Sequence, residues 1–361
     1  MILHRYFAYR FALTFGGVLG IFIVMLTLLD LIDQLRSFSS DATFQEVLSL
    51  TLLSAPQGLY RMLPLMMILT TIALFLGLAR TSELVVTRAA GRSALRALLA
   101  PLAVAMLIGV LGVAVFNPIV AATSKEYDRR ADDLRGVASV LRISSDGFWL
   151  RQGSAERQSV IRAVATNVDG TQLRGVTFIT FEDGPVRRIE AARATLVDGA
   201  WELEDVKLWP LGDTPNPEAA AETHARFSIP STLTPDQIRD SFGTPSSIAI
   251  WDLPGFIDRL ETAGFAARRH LMWFHSELAQ PLFLMAMVLI GAGFTMRHQR
   301  GGRTGLMVLF AILLSFGLYF LRNFTAVLGE NGQLPVALAA WAPPFVGIGL
   351  SLGLLLHLED G

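Results

Sequence analysis

The sequence predicts an α-helical polytopic membrane protein, six transmembrane helices with an all-β domain inserted between the third and the fourth. Three observations predict it. Of 361 residues, 52% are hydrophobic and 17% charged, with a mean hydropathy of +0.48, whereas soluble globular chains carry about 25% charge. Six stretches stay apolar for the roughly 20 residues a bilayer crossing needs. The long connection between the third and fourth shifts to a two-residue period punctuated by Asp-Gly pairs.

The spans run from Phe11 to Leu29, Leu59 to Ala79, Leu95 to Phe116, Leu278 to Met296, Gly305 to Leu321 and Val336 to Leu356. The first has a basic lead-in, Arg5 and Arg10, like the start of a signal peptide. Its apolar run exceeds a typical h-region and no A-x-A site follows, so it reads as an uncleaved span. Arginines then set the orientation. Arg5 and Arg10, the group Arg80, Arg88, Arg92 and Arg96, and the group Arg297, Arg300 and Arg303 fall on one side. The opposite loops are acidic (Asp30, Asp33, Asp41 and Glu46, with Arg36) or sparse (Arg322, Glu330). The positive-inside rule puts both termini in the cytoplasm and the inserted domain outside it. Arg268 and Arg269 run against the rule, but they flank a long translocated segment, where local charge counts for less.

Asn117-Pro118 opens an amphipathic stretch to about Leu134, a continuation of the third helix. Asp146-Gly147, Asp169-Gly170, Asp183-Gly184 and Asp198-Gly199 are regularly spaced turn signals. Between them, "VTFITF" (Val176 to Phe181) and "AWELEDVKLW" (Ala200 to Trp209) alternate with period two. The pattern fits a small sandwich or jelly roll. Such a sheet is either simply a folded domain or a holder for an acyl chain between its layers. After the polar loop Gly212 to Ala225, "WDLPGFIDRLETAG" reads as a helix with Asp252 as N-cap, Pro254 in its first turn and Gly264 as C-cap.

Composition excludes several chemistries. There is no cysteine, hence no disulfide, thiolate metal site or thiol nucleophile. Net charge is near zero and the basic residues are dispersed, so no nucleic-acid partner is expected. Neither a P-loop nor G-x-S-x-G occurs. "HLMWFHSEL" holds His270, His275 and Glu277, but the histidines are five apart and His275 and Glu277 two apart, not the i, i+4 spacing of helix-borne metal ligands, and it reads as an interfacial polar cap on the fourth span. Neither a catalytic residue nor a metal ligand nor a cofactor is expected. Gly16 to Gly20 and Gly349 to Gly353 have the G-x-x-x-G spacing of closely packed helices or a partner interface. Pro101 and Pro343-Pro344 suggest kinks, and Trp273 and Trp341 interfacial anchors. Arg322 lies about 25 Å beyond Gly305 at ~1.5 Å per residue, on the same side as Arg36. Both either snorkel to headgroups or meet phosphates of an anionic lipid.

"RTSELVVTRAAGRS", Arg80 to Ser93, interrupts the apolar sequence with one carboxylate among arginines. Thr81 or Ser82 can cap a short helix, Glu83 suits its positive end, Gly91 can end it, and Ser93 can cap the next span. Glu83 and Thr87 would share one face, with Leu84, Val85, Arg88 and Ala89 on another. The helix either lies in the headgroups or docks a cytoplasmic partner, which a transporter without a nucleotide site would need.

These residues resemble the LptF/LptG family, the permeases of the lipopolysaccharide-export ABC transporter. "RTSELVVTRAAG" is similar to the family's segment between the second and third spans, with SELVV nearer the LptG branch. "LIDQLRS" (Leu31 to Ser37), "GFWLRQG" (Gly147 to Gly153), "STLTPDQI" (Ser231 to Ile238) and Leu260 to Leu282 match further points in order. The resemblance implies a bacterial inner-membrane subunit with residues 1–120 as the first three spans, 121–265 as a periplasmic jelly-roll-like domain and 266–361 as the last three spans. It implies a partner of the LptF type, an LptB-type ATPase dimer and a single-span LptC-type protein, with lipopolysaccharide as the substrate. The segment at about 81–91 would be the coupling helix, using Ser82, Glu83, Leu84, Thr87, Arg88 and Gly91, with Glu83 contacting the ATPase. The lipid path would follow the first and fifth helices, at Phe22, Arg36, Tyr319 and Arg322. One departure is that, where the LptG pattern has several basic residues around the outer end of the first helix, Arg36 remains but Asp30 and Asp33 stand nearby. An LptF-type subunit and a membrane-anchored periplasmic interaction protein stay open as alternatives.

Overall fold

The computed structural model describes residues 2–359 apart from 38–42, 90–92, 136–140, 145–146, 154–157, 168–169, 182–184, 198, 212–215, 232, 235–237, 239–243, 264–265 and 297–303. Six helices are long and apolar enough to cross a membrane, each extending beyond the apolar run that marks it. They comprise α1 (Ile2–Ser37), α2 (Phe44–Arg80), α4 (Ala94–Leu111) with its continuation, α7 (Arg268–Thr295), α8 (Thr304–Glu330) and α9 (Val336–Glu359). The chain is a multi-pass membrane protein. It divides into a membrane unit of Met1–Ala131, Ser246–Trp251 and Arg268–Gly361, and a second unit of Asp132–Pro245 and Asp252–Ala267.

In the membrane unit, α2 and α7 form the centre, with 61% and 78% of their most apolar windows buried against 6% for α1 and 17% for α8. Met66, Met67, Ile68, Phe75, Phe283 and Leu284 fill the core. Several buried threonine hydroxyls are satisfied within their own helices, as when Thr70 and Thr71 donate to the carbonyls of Met66 and Met67 at 2.7 and 2.8 Å. The start of α2 is a capping box, in which Thr43 N donates to Glu46 Oε2 at 2.7 Å while the Thr43 side chain accepts from Glu46 N. Helices α4 and α9 continue through Pro101 and Pro343–Pro344. After α4 the third span passes through a π-helical turn, Gly112–Phe116, and goes on as α5 (Asn117–Arg135), the continuation that the amphipathic pattern predicts.

The small-residue spacings do not mark the tight contacts within the chain. Gly16, Gly20, Gly349 and Gly353 have nothing within 4 Å of where a Cβ would stand. The close approach is instead at Gly109 of α4, where a Cβ would lie 2.6 Å from Pro281 Cα of α7. At Gly291 of α7 a Cβ would meet Thr71 of α2 at 2.9 Å.

The second unit holds seven strands, β1 (Leu141–Ser144), β2 (Gly147–Gly153), β3 (Gln158–Thr166), β4 (Gln172–Phe181), β5 (Pro185–Val197), β6 (Ala200–Pro210) and β7 (Glu222–Pro230), and then α6 (Leu253–Ala263). They form one antiparallel sheet in sequence order. It is all-β as expected, and among the described strands a meander without the crossover of a jelly roll, because short hairpins join most neighbours. The four Asp-Gly pairs fall at the β1–β2, β3–β4, β4–β5 and β5–β6 connections; Asp146, Asp169, Asp183, Gly184 and Asp198 lie outside the described residues, as does Gly264 after α6. Gly170 and Gly199 have φ of 72° and 76°, which glycine adopts readily.

Trp201 is fully buried on β6, edge-on to Phe178 at 6.3 Å between ring centroids. Its indole donates to Gln152 Oε1 at 3.2 Å, which also accepts from Ser231 Oγ at 2.7 Å. Pairing lapses at the same level on five strands, at Val164, Gly175, Ala192, Asp205 and Ala225. Gly175 and Asp205 have φ of 58° and 54° there. Aligned irregularities of this kind increase local twist and bend.

Candidate functional site

The segment between the second and third spans folds as a corner and a seven-residue helix. Helix α2 ends at Arg80, Ser82 takes a left-handed φ of 58°, and α3 (Glu83–Ala89) starts at once, with the Ser82 carbonyl accepting from Val85 N and Val86 N at 3.1 and 3.2 Å. Helix α3 is buried on one side, through Leu84 and Thr87, and Val86 on the other is 68% exposed. Thr87 Oγ1 donates to the Glu83 carbonyl at 2.8 Å. Ser93 caps α4, accepting from Arg96 N. Gly91 and the side chain of Arg88 lie outside the described residues.

Glu83 points back into its own chain. Its Oε2 accepts from Tyr6 Oη at 2.7 Å, its Oε1 accepts from Thr81 Oγ1 at 2.9 Å, and Arg10 Nη2 is 3.5 Å from Oε1. Arg10 Nε also donates to Tyr6 Oη at 2.9 Å. The hydrogen bond from Tyr6 holds the Glu83 carboxyl below its ordinary range; partial burial opposes this, and Thr81 and Arg10 add to it. The carboxylate is therefore a tie from α3 to the first turns of α1. Sequence reasoning missed Tyr6 and Arg10 as its partners.

A second polar site lies inside the membrane unit, a cavity of about 380 Å³ whose lining includes Tyr60, Arg61, Glu277, Gln280, Tyr319 and Arg322. The Arg322 guanidinium stands over the Phe283 ring, 4.7 Å from its centroid. Glu277 is 1% exposed, and its Oε2 accepts from Tyr60 Oη and, at 3.2 Å, from Asn117 Nδ2. Glu277 departs from the expected interfacial cap because it is buried against Tyr60 of α2 and Asn117 of α5, while Arg268 and Arg269 at the start of α7 are exposed. A lone carboxylate next to a long apolar run was the available signal. His275 sits beside Trp341, whose Nε1 is 3.4 Å from His275 Nδ1.

Of the lipid-path residues, Tyr319 and Arg322 share this cavity. Arg36 is exposed in the last turn of α1, and Phe22 is buried in the core at 7% exposure; neither lines the cavity. Asp30 ties α1 to α2, accepting from Ser54 Oγ and, at 3.0 Å, from Gln34 Nε2. Among the described residues no cluster of His, Asp and Glu could hold a metal ion.

A family profile described as lipopolysaccharide export system permease LptF/LptG matches residues 5–357. The lipopolysaccharide export system permease protein LptG of Escherichia coli K12 is 24% identical over 367 residues, covering 99% of this chain and 98% of that protein. LptG of Haemophilus influenzae is 23% identical over 362 residues, covering 95% of this chain and 97% of that one.

Proposed function

Because the chain belongs to the LptF/LptG family of lipopolysaccharide export permeases, we propose that it is an LptG-type subunit whose transport cycle is powered by a separate LptB-type ATPase. Its partners are an LptF-type permease, the ATPase dimer and an LptC-type protein. Both relatives described above are named LptG, which supports that branch over LptF. The termini are cytoplasmic and the β unit periplasmic, in keeping with the arginine distribution. The chain takes lipopolysaccharide from the outer leaflet of the inner membrane and passes it to a periplasmic bridge; it performs no chemistry itself.

The observation that carries the coupling assignment is α3, with its buried Leu84 and Thr87 and its exposed Val85 and Val86. Ser82 makes the corner, Leu84 and Thr87 seat the helix, and Glu83 sets its angle against α1. The apolar outer face enters a groove of the ATPase, and Arg88 and Gly91 belong to the same docking segment. The poorly covered α1 and α8 are the faces for lipid and for the partner permease, with Arg36, Tyr319 and Arg322 along that route; Phe22, buried in the core, lies off it.

Val86→Asp tests this reading. It places a charge on the exposed face without disturbing the seat, so the variant should insert into the membrane normally and lose most of its co-purifying ATPase. Retention of the ATPase at the wild-type ratio would remove α3 from the docking role.

A further inference from the structure

Six residues of the membrane unit come from within the β unit's sequence. Ser246–Trp251 belongs to the membrane unit, whereas the stretches before and after it, Asp132–Pro245 and Asp252–Ala267, belong to the β unit. The chain therefore leaves the β unit after Pro245, makes a short clip, and rejoins it at Asp252, just before α6.

Hydrogen bonds to α2 and to the third span hold the clip. Ser246 Oγ accepts from Gln57 Nε2 of α2 at 3.1 Å. Ile250 N donates to Asn117 Oδ1 at 2.9 Å. Trp251 Nε1 donates to the Ala114 carbonyl at 3.1 Å.

The receiving surface is the π-helical turn. There Asn117 N donates to the Gly112 carbonyl, five residues back, and the regular ladder is interrupted. Four residues beyond Ala114 stands Pro118, which has no N–H to offer that carbonyl. The Trp251 indole donates to it. Asn117 is 1% exposed and works in both directions, since its Nδ2 donates to the buried Glu277 of α7, the carboxylate that also accepts from Tyr60 of α2. An apolar residue at 117 could fill the same space. It would leave the Ile250 N–H without its acceptor and Glu277 short of a donor.

We propose that Asn117 is a positioning residue for transport, joining the two central helices to the clip so that their movement reaches the chain on both sides of Ser246–Trp251. The proposal rests on the permease reading given above. By chain continuity, the segment carries a displacement of α2 or α7 into α6, which starts two residues after Trp251.

The test uses the full chain assembled with its partner permease and ATPase in proteoliposomes containing lipopolysaccharide. Two quantities are compared for wild type, Asn117→Ala and Trp251→Phe. They are amide hydrogen exchange of peptides covering 246–251, and lipid moved per ATP hydrolysed. Loss of one of these hydrogen bonds should speed exchange in the clip by about tenfold while β3–β6 stay unchanged. The lipid-to-ATP ratio should fall about threefold or more with ATP turnover retained, which simple loss of folded protein would not produce. Trp251 is 68% exposed, so Trp251→Phe carries the test if Asn117→Ala does not assemble. Unchanged exchange in the clip would overturn the proposal, as would an unchanged ratio with the clip released. A wild-type complex that moves no lipopolysaccharide would refute the permease reading and the transport role with it, while the exchange comparison would still decide whether Asn117 holds the clip.

Discussion

Glu83 shows how much one side chain's partner matters. Its position in the first turn of a short helix is legible in sequence, from Thr81, Ser82 and the following Leu-Val-Val. Its bond to Tyr6 spans 77 positions and depends on how α1 packs beside α2, which no local pattern encodes. Tyr6→Phe removes one hydrogen bond to a charged group and should weaken the α1–α3 tie by about 1 kcal/mol. The readout is lipid moved per ATP, expected to drop with little change in ATPase binding, because the exposed Val86 face is untouched. Since the Glu83 carboxyl is held below its ordinary range, the tie is complete at neutral pH. It is lost only as pH falls through that lowered value, so a tie that loosens between pH 8 and 6 would contradict the assignment.

Elements were easier to place than their faces. The apolar runs locate every span, but a helix that is apolar nearly all round carries no stripe to say which side turns inward. The glycine spacings of the first and last spans therefore mark open surface within this chain, while Gly109 and Gly291, in no such motif, lie at the contacts of α7. Gly109→Ala should destabilise the protein by about 1–3 kcal/mol through overpacking against the Pro281 backbone. Gly16→Ala, with no atom within 4 Å, should leave the thermal unfolding of the isolated chain unchanged. Equal effects from the two substitutions would mean that α4 and α7 are not in close contact. The π-helical turn was not legible either. Only Asn117-Pro118 hinted at a change, and the donor that the turn's Ala114 carbonyl accepts from is an indole more than a hundred residues further along the chain.

At the scale of the whole molecule, composition and alternating periodicity were enough to read three spans, a β insertion and three spans. They were enough because bilayer thickness and the sheet's two-residue repeat impose strong, local constraints. The sheet's sequential order follows from its Asp-Gly turns, whereas the clip at Ser246–Trp251 has no period and no motif. The polar cavity escaped for a similar reason, since Tyr60, Glu277 and Arg322 come from three separate spans. Family membership gives these parts a common purpose, lipopolysaccharide export, and the central claim is that ATP hydrolysis elsewhere drives lipid out of the bilayer through this chain. The most direct measurement reconstitutes the chain with its partner permease, the ATPase and the LptC-type protein in proteoliposomes, and follows lipopolysaccharide transfer to a soluble periplasmic acceptor. Transfer that requires ATP and is lost when this chain is omitted is the predicted result. Transfer at the same rate without this chain, or without ATP, would contradict it.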